Sequence, residues 1–144
     1  MLFVAPAVGA VFEALGAAAG NVAVIGHAKL ATALGDAKRD GVTVVPVGLS
    51  PRAAKKLTNA LADLSAIEDR SLAAVVAVDV ASDDGWELAL RDWRRVVRDG
   101  GTIVMVDRGR APEASRRALC AGLGQLEQRR AGRVVVTSGM VSHF

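Results

Sequence analysis

Aromatic residues are scarce in this chain of 144 residues: tyrosine is absent, and phenylalanine and tryptophan together make up 3% of the sequence. With so few rings, no platform is visible on which the bases of a nucleic acid could stack. Apolar residues nevertheless account for 51% of the chain, which is enough to bury a core of small aliphatic side chains. Such a core is typical of a parallel sheet covered by helices.

Cysteine is also nearly absent. Cys120 is the single one, which excludes an internal disulfide and any cysteine-based zinc site. This usage fits a reducing compartment, so we expect a cytoplasmic protein and predict no metal site. Cys120 falls in an alanine- and leucine-rich stretch and is predicted to be a small buried residue of a helix.

The charge is weakly positive, at +3, with the basic residues concentrated in the second half of the chain. Acidic residues interrupt this basic pattern, so we interpret it as solvated helix faces and do not expect nucleic-acid binding. The arginines concerned are Arg91, Arg94, Arg95, Arg98, Arg108, Arg110, Arg116, Arg117, Arg129, Arg130 and Arg133.

Residues 1–20 are apolar and carry Glu13 as their only charge. A secretory signal would begin with basic residues, and a membrane span would need about 20 apolar residues without a charge. We therefore expect no membrane span, but a helix that packs on the domain or on a partner, with residues 21–144 forming the domain itself. The packing surface of this N-terminal helix would comprise Leu2, Phe3, Val8, Val11, Phe12 and Leu15.

Apolar, β-branched runs alternate with segments of helical spacing along the rest of the chain. Ser50 followed by Pro51 is a typical helix start, and Gly100 with Gly101 would end a helix that begins near Trp86. Strands are predicted over residues 22–26, 42–47, 65–67, 72–80, 102–106 and 133–137, and helices over 29–39, 50–64, 86–100 and 112–130. This alternation predicts an α/β fold with a doubly wound, mostly parallel sheet of about six strands and helices on both faces.

A family resemblance rests on LAAVVAVDVASDDGWELALRDWRRVVRDGGTIVMVDRG, which begins at Leu72. It resembles the fourth strand, helix and fifth strand of class I S-adenosylmethionine (SAM)-dependent methyltransferases, of the ubiquinone/menaquinone C-methyltransferase type. Gly100 and Gly101 match the turn into the fifth strand, where the backbone reverses sharply, and Asp99 replaces the family's proline. As an order of elements the resemblance covers roughly residues 20–138, and it implies a Rossmann-like domain over residues 21–144.

The resemblance weakens at the first cofactor motif. In the family, a strand ending in an acidic residue is followed by G-x-G-x-G, whose glycines let the backbone approach the cofactor. The sequence VAVIGHAKL matches only Gly26. Val24 replaces the acidic residue, and Ala28 and Leu30 replace the other glycines. A leucine in this loop is expected to crowd the cofactor.

Two further family positions are acidic. The carboxylate that ends the second strand binds both ribose hydroxyls, and Gly48 stands there in this chain. Losing it would cost about 2–3 kcal/mol of binding free energy. Asp63 approximately matches the acidic residue near the adenine. The resemblance thus makes Gly26, His27, Gly48 and Asp63 vestigial cofactor-binding positions, with no catalytic residue and no bound cofactor expected.

Three polar residues fall near the carboxyl ends of predicted strands, where open α/β sheets bind ligands. Asp79 and Asp107 could face one crevice, although acidic residues also end strands merely for solubility. His27 could act as a general base, but no partner carboxylate is identifiable, so a loop histidine with satisfied hydrogen bonds is the favoured interpretation.

The segment after the last predicted helix is short. Family members finish with a sixth and a seventh strand in an antiparallel hairpin, whereas RVVVTSGMVSHF supplies one strand, or one and a short return. If the last strand is missing, a sheet edge is left open. Together with the apolar N-terminal segment, this predicts a homodimer or a fixed protein partner.

Three hypotheses follow. The main one is a non-catalytic, methyltransferase-like domain that acts as a scaffold or regulator through protein contacts. The alternatives are a divergent SAM-dependent methyltransferase and an arginine-rich nucleic-acid-binding protein.

Overall fold

The computed structural model describes residues 4–37 and 39–143. Their strands form one six-stranded sheet in the order β2-β1-β3-β4-β6-β5. The first four run parallel, and β6 runs antiparallel to both of its neighbours. The strands are β1 (Gly20–Ile25), β2 (Val42–Val47), β3 (Leu72–Val78), β4 (Val97–Asp107), β5 (Gly124–Ala131) and β6 (Val134–Met140). The predicted doubly wound α/β sheet is confirmed.

Helices cover both faces of this sheet. They are α1 (Val4–Leu15), α2 (Ala28–Asp36), α3 (Pro51–Ala54), α4 (Trp86–Val96) and α5 (Ala111–Cys120), with a 3₁₀ turn at Val80–Ser82. Alternate residues of β3 point to opposite faces: Val75 packs in a core with α4 and α5, and Val76 packs in a core with α1 and α2. Burial on both faces explains why β3 is a continuous apolar run.

The apolar N-terminal segment forms α1, which packs on β4, β5, β6 and α2 of its own chain. Ala7, Ala10, Val11 and Leu15 are buried at helical spacing. Val8 and Phe12 are half-buried against the same core, whereas the predicted packing residues 2 and 3 lie outside the described part of the chain. Within that part, no helix is long and apolar enough to cross a membrane.

The predicted helix over residues 50–64 is wrong beyond its first turn. Ser50 caps α3 by accepting the Ala53 N–H at 3.3 Å, but α3 has four residues. Asn59 adopts a left-handed backbone (φ 63°), which an α-helix does not tolerate. Leu61 then donates its N–H to the Pro46 carbonyl at 2.8 Å and forms an isolated parallel bridge to Val47.

The strand predicted at residues 65–67 is absent from the described structure. In the chain between β2 and β3, the described residues form no strand pairing except the isolated bridge at Leu61, and β2 is an edge strand of the sheet. Residues 53–61 have apolar side chains at helical spacing, but the backbone of Leu61 pairs with β2 instead. Tertiary hydrogen bonds here override the local helix propensity.

The predicted helix over residues 112–130 is also wrong in its second half. It ends at Cys120, and Gly122 follows with a positive φ of 82°. Residues 124–131 instead form β5, which pairs with β6 in an antiparallel hairpin. The antiparallel hairpin that the sequence left open is thus present, and no last strand is missing among the described residues. Cys120 ends α5 and is exposed, not buried as predicted.

The turn between α4 and β4 differs from the prediction in detail. The helix ends at Val96, before the two glycines, which lie inside β4. Gly100 has the positive φ, at 80°. Gly101 is needed for space instead, since a Cβ there would lie 2.5 Å from Val97 Cγ1 and 2.7 Å from the Ala73 carbonyl oxygen.

Candidate functional site

The carboxyl ends of β1, β2, β3 and β4 meet at one edge of the sheet, because these strands are parallel. Gly26 and His27 follow β1, Gly48 follows β2, Asp79 follows β3, and Asp107 ends β4. Topology thus collects five of the six predicted site positions at the edge where doubly wound sheets bind ligands.

Gly26 and Gly48 adjoin each other at this edge. Both have a positive φ, of 66° and 73°, which glycine adopts without strain. The Gly26 N–H donates to the Val47 carbonyl at 2.7 Å. A Cβ on Gly26 would meet no atom within 4 Å, and one on Gly48 would meet only the Gly26 nitrogen, at 4.0 Å. The two glycines therefore border open space.

His27 is the N-cap residue of α2, and its Nδ1 accepts the Leu30 N–H at 3.1 Å. Burial lowers the pKa of His27, partly opposed by the negative charge of Asp79. The neutral ring therefore predominates at pH 7. No carboxylate is identifiable near His27 from the sequence, whereas the fold brings the charge of Asp79 into range.

Leu30 does not crowd this edge. Its side chain is fully buried in the core that α1 and α2 form with the sheet. The first turn of α2 points Leu30 toward the sheet, which leaves the loop at Gly26 clear. The expectation that Leu30 obstructs the loop is wrong.

Asp79 is half-buried and has a left-handed backbone (φ 60°). Its carboxylate accepts two hydrogen bonds from Arg108, at 2.6 Å from Nη2 and 3.3 Å from Nε. This bidentate geometry fixes both side chains at the rim of the crevice.

Asp107 lies beneath that rim and is 2% exposed. Its Oδ1 accepts the Ala81 N–H at 2.8 Å. Its Oδ2 is buried without a hydrogen-bond partner among the described residues. Burial raises the pKa of Asp107 to about 6, against the lowering effect of the Ala81 hydrogen bond. Asp107 therefore supports the turn that follows β3.

Asp63 lies in an exposed loop, two residues after Leu61, whose carbonyl accepts the Gly48 N–H at 3.0 Å. Its Oδ1 accepts the Ser65 N–H at 2.8 Å and the Ser65 hydroxyl at 2.5 Å. These bonds lower the pKa of Asp63. Its carboxylate is thus engaged within its own loop.

A small cavity of about 270 Å³, which the sequence did not predict, lies beside the Asp79–Arg108 pair. Its lining consists of Asp79, Ser82, Arg108, Gly109 and Arg110. The only sequence feature that could have indicated this cavity is the position of Arg108-Gly109-Arg110 directly after a buried strand. No known motif marks these three residues. A larger groove, of about 530 Å³, separates α2 from α3 and is lined in part by Lys29, Arg52 and Lys56.

The arginines of the second half are spread over α4, β4, α5 and β5. Several are paired with carboxylates, as in Arg95 with Asp69 and Arg116 with Glu113. The arginines therefore do not form one basic face, which is the feature that would have supported nucleic-acid binding.

No protein-family model matches the sequence, and no curated protein matches it. Solved structures do. A SAM-dependent methyltransferase of Thermotoga maritima, a possible histamine N-methyltransferase, is 16% identical with a TM-score of 0.74, covering 96% of this chain and 89% of that one. A SAM-dependent methyltransferase of Aquifex aeolicus is 12% identical with a TM-score of 0.72, covering 93% and 89%.

A third structure is a complex of the Haloferax volcanii methyltransferase activator Trm112 with a putative methyltransferase. It is 14% identical with a TM-score of 0.72, and the match covers 92% of this chain and 89% of that one. This chain has the class I SAM-dependent methyltransferase fold. The methyltransferase resemblance drawn from Leu72 onward is confirmed at the level of the fold.

Proposed function

We propose that this chain is a divergent SAM-dependent methyltransferase that holds its cofactor at the carboxyl edge of β1 and β2. The observation that supports this most directly is the burial of Leu30 in the core. Because that side chain is directed into the core, the loop at Gly26 keeps the open space that the glycine motif provides in the family.

The residues at this edge fit part of the cofactor. Gly26 and Gly48 would let the backbone approach it closely, and neutral His27 adds no positive charge beside its sulfonium. SAM supplies an electrophilic methyl group when it is bound. With Gly48 at the end of β2, the ribose hydroxyls have no carboxylate there, so we expect binding about 30- to 150-fold weaker than with that contact.

Isothermal titration with SAM and S-adenosylhomocysteine tests this proposal on three proteins: the wild type, Gly48→Asp and Gly48→Asn. Asp and Asn are the side chains best tolerated at a positive φ, and a Cβ at Gly48 meets no atom closer than 4.0 Å. We expect weak binding by the wild type and about 30- to 150-fold tighter binding by Gly48→Asp, because the carboxylate restores the ribose contact.

The Gly48→Asn variant is the matched control, since it has the same shape without the charge. It should bind like the wild type. If neither the wild type nor Gly48→Asp gives heat at millimolar ligand, while circular dichroism shows both to be folded, cofactor binding at this edge is excluded.

The second candidate is a non-catalytic domain that works through protein contacts. It is favoured by the outer edge of β2, which among the described residues is paired only at the bridge from Val47 to Leu61. Unpaired edges are commonly covered by another chain, and one putative methyltransferase of similar fold is bound to an activator protein. A second copy of this chain, or a fixed protein partner, would cover β2.

Sedimentation analysis separates the two candidates. A stable dimer that shows no heat with SAM would support the non-catalytic domain. A monomer that binds SAM would leave only the methyltransferase.

A further inference from the structure

We propose that the cavity lined by Asp79, Ser82, Arg108, Gly109 and Arg110 binds the oxyanion group, a carboxylate or a phosphate, of a small acceptor molecule. The proposal rests on the proposed function, because it assigns a class of methyl acceptor to the proposed methyltransferase.

The shape of the cavity favours a small polar group. It encloses about 270 Å³ where β3 and β4 end. Gly109 has a φ of 143°, and a Cβ there would meet no atom within 4 Å. A ligand can therefore lie directly against the Gly109 backbone, which a side chain would prevent.

The charges of the lining favour an anion. Arg108 is paired with Asp79, which leaves Arg110 as the excess positive charge. Arg110 donates Nη1 to the Ala81 carbonyl at 3.2 Å and forms no ion pair with a carboxylate of the described residues. A guanidinium carries five N–H donors in a fork that matches a carboxylate or a phosphate, so donors remain for a ligand.

The start of α5 adds to this preference. The helix begins at Ala111, and its N-cap residue, Arg110, makes no side-chain cap. Pro112 in this turn has no N–H, and the carboxylate of Glu113 is paired with Arg116 and Arg117. The backbone N–H groups of Ala111 and Glu113 and the positive end of the helix dipole thus lie at the start of α5, directly after Arg110. Both features stabilise an anion beside Arg110.

The cavity wall is held rigidly from below. Arg117 donates to the carbonyls of Val80 and Asp83, and Asp107 accepts the N–H of Ala81. Asp79 and Arg110 are both left-handed without being glycine, with φ near 60°. Strained residues that a surrounding network holds in place are typical of ligand-binding sites, where preorganisation lowers the cost of binding.

The test is a pair of NMR titrations of ¹⁵N-labelled protein, one with inorganic phosphate and one with benzoate, without SAM. The Gly109 amide should shift on binding. Arg110→Gln should weaken binding about tenfold, and Arg110→Lys should lose less, since it keeps the charge. Asp79→Asn should strengthen binding about two- to fivefold, because it removes the competing carboxylate. Asn is well tolerated at a left-handed position.

Lys56→Gln is the matched control, because it removes one positive charge from the separate groove between α2 and α3. It should leave both titrations unchanged. Phosphate binding tighter than benzoate binding would identify a phosphorylated acceptor, and the reverse would identify a carboxylic acid.

The proposal is overturned if Arg110→Gln binds like the wild type, or if the shifts fall at Lys29 and Lys56 and not at Gly109. These results are independent of SAM. An anion site at Gly109 in a protein that does not bind SAM would leave the site standing while the proposed methyltransferase function fails.

Discussion

Asp107 Oδ1 accepts a hydrogen bond from the backbone N–H of Ala81 at 2.8 Å, across 26 positions of the chain. The bond joins the end of β4 to the turn that follows β3. Since Oδ2 is buried and unpartnered among the described residues, ionisation of this carboxyl is costly, and burial raises its pKa to about 6.

The stability of the protein should therefore fall as the pH rises from 4.5 to 7.5. The folded state keeps the Asp107 proton up to about pH 6, whereas the unfolded chain loses it near 3.8, so the folded state binds more protons in this window. Across this pH window the loss from Asp107 should be about 2 kcal/mol. Asp107→Asn should match the wild type at pH 4.5 and exceed its stability at pH 7.5, as measured by urea unfolding. Parallel pH curves for the two proteins would contradict this account.

Arg117 and Arg116 share Glu113 but differ in burial. Arg117 is 9% exposed and donates Nη1 to the carbonyls of Val80 and Asp83, at 2.5 and 2.9 Å. Arg117→Met should cost about 2–4 kcal/mol in free energy of unfolding, because these carbonyls lose their donor. Arg116→Met removes an exposed ion pair and should cost less than about 1 kcal/mol. Equal losses in urea unfolding would show that Arg117 stabilises the fold through Glu113 and not through the two carbonyls.

The two glycines at the start of β4 should respond differently to alanine. Gly101→Ala places a Cβ against Val97 and the Ala73 carbonyl and should cost about 2–4 kcal/mol from overpacking. Gly100→Ala adds only the strain of a positive φ, about 1–2 kcal/mol, because its Cβ would meet no atom within 4 Å. Thermal unfolding of both variants measures the difference, and the reverse order would refute it.

Leu30→Ala should destabilise the protein by about 2–5 kcal/mol, as expected for a fully buried leucine. It should not tighten SAM binding, because the side chain does not face the crevice. Leu30→Met keeps the volume and should cost less than about 1.5 kcal/mol. If Leu30→Ala binds SAM much more tightly than the wild type while remaining folded, Leu30 does obstruct the cofactor.

Local sequence patterns predicted the parallel half of the sheet well. β2 and β3 are β-branched or apolar runs, and α4 begins at Trp86 as predicted, so local chemistry and tertiary packing agree there. The failures lie at the two edges of the sheet. β5 contains the sequence QLEQRR, whose residues favour a helix. The segment nevertheless forms a strand because it pairs with β6.

The candidate site was predictable where strand ends define it. Gly26, His27 and Gly48 could be placed together because parallel strands end at one edge. Arg110 could not be found in this way, since its proposed role depends on a cavity. Asp63 lies in an irregular segment that no predicted strand end marks.

The sequence by itself determined the alternation of strands and helices, the burial of β3 and the absence of a ribose carboxylate at Gly48, because these depend on residue type and local spacing. Tertiary structure alone decided the direction of the Leu30 side chain, the pairing of β5 and the assembly of Asp79 with Arg108 and Arg110. Those outcomes depend on contacts between residues far apart in the chain. Local propensities do not include the free energies of such contacts.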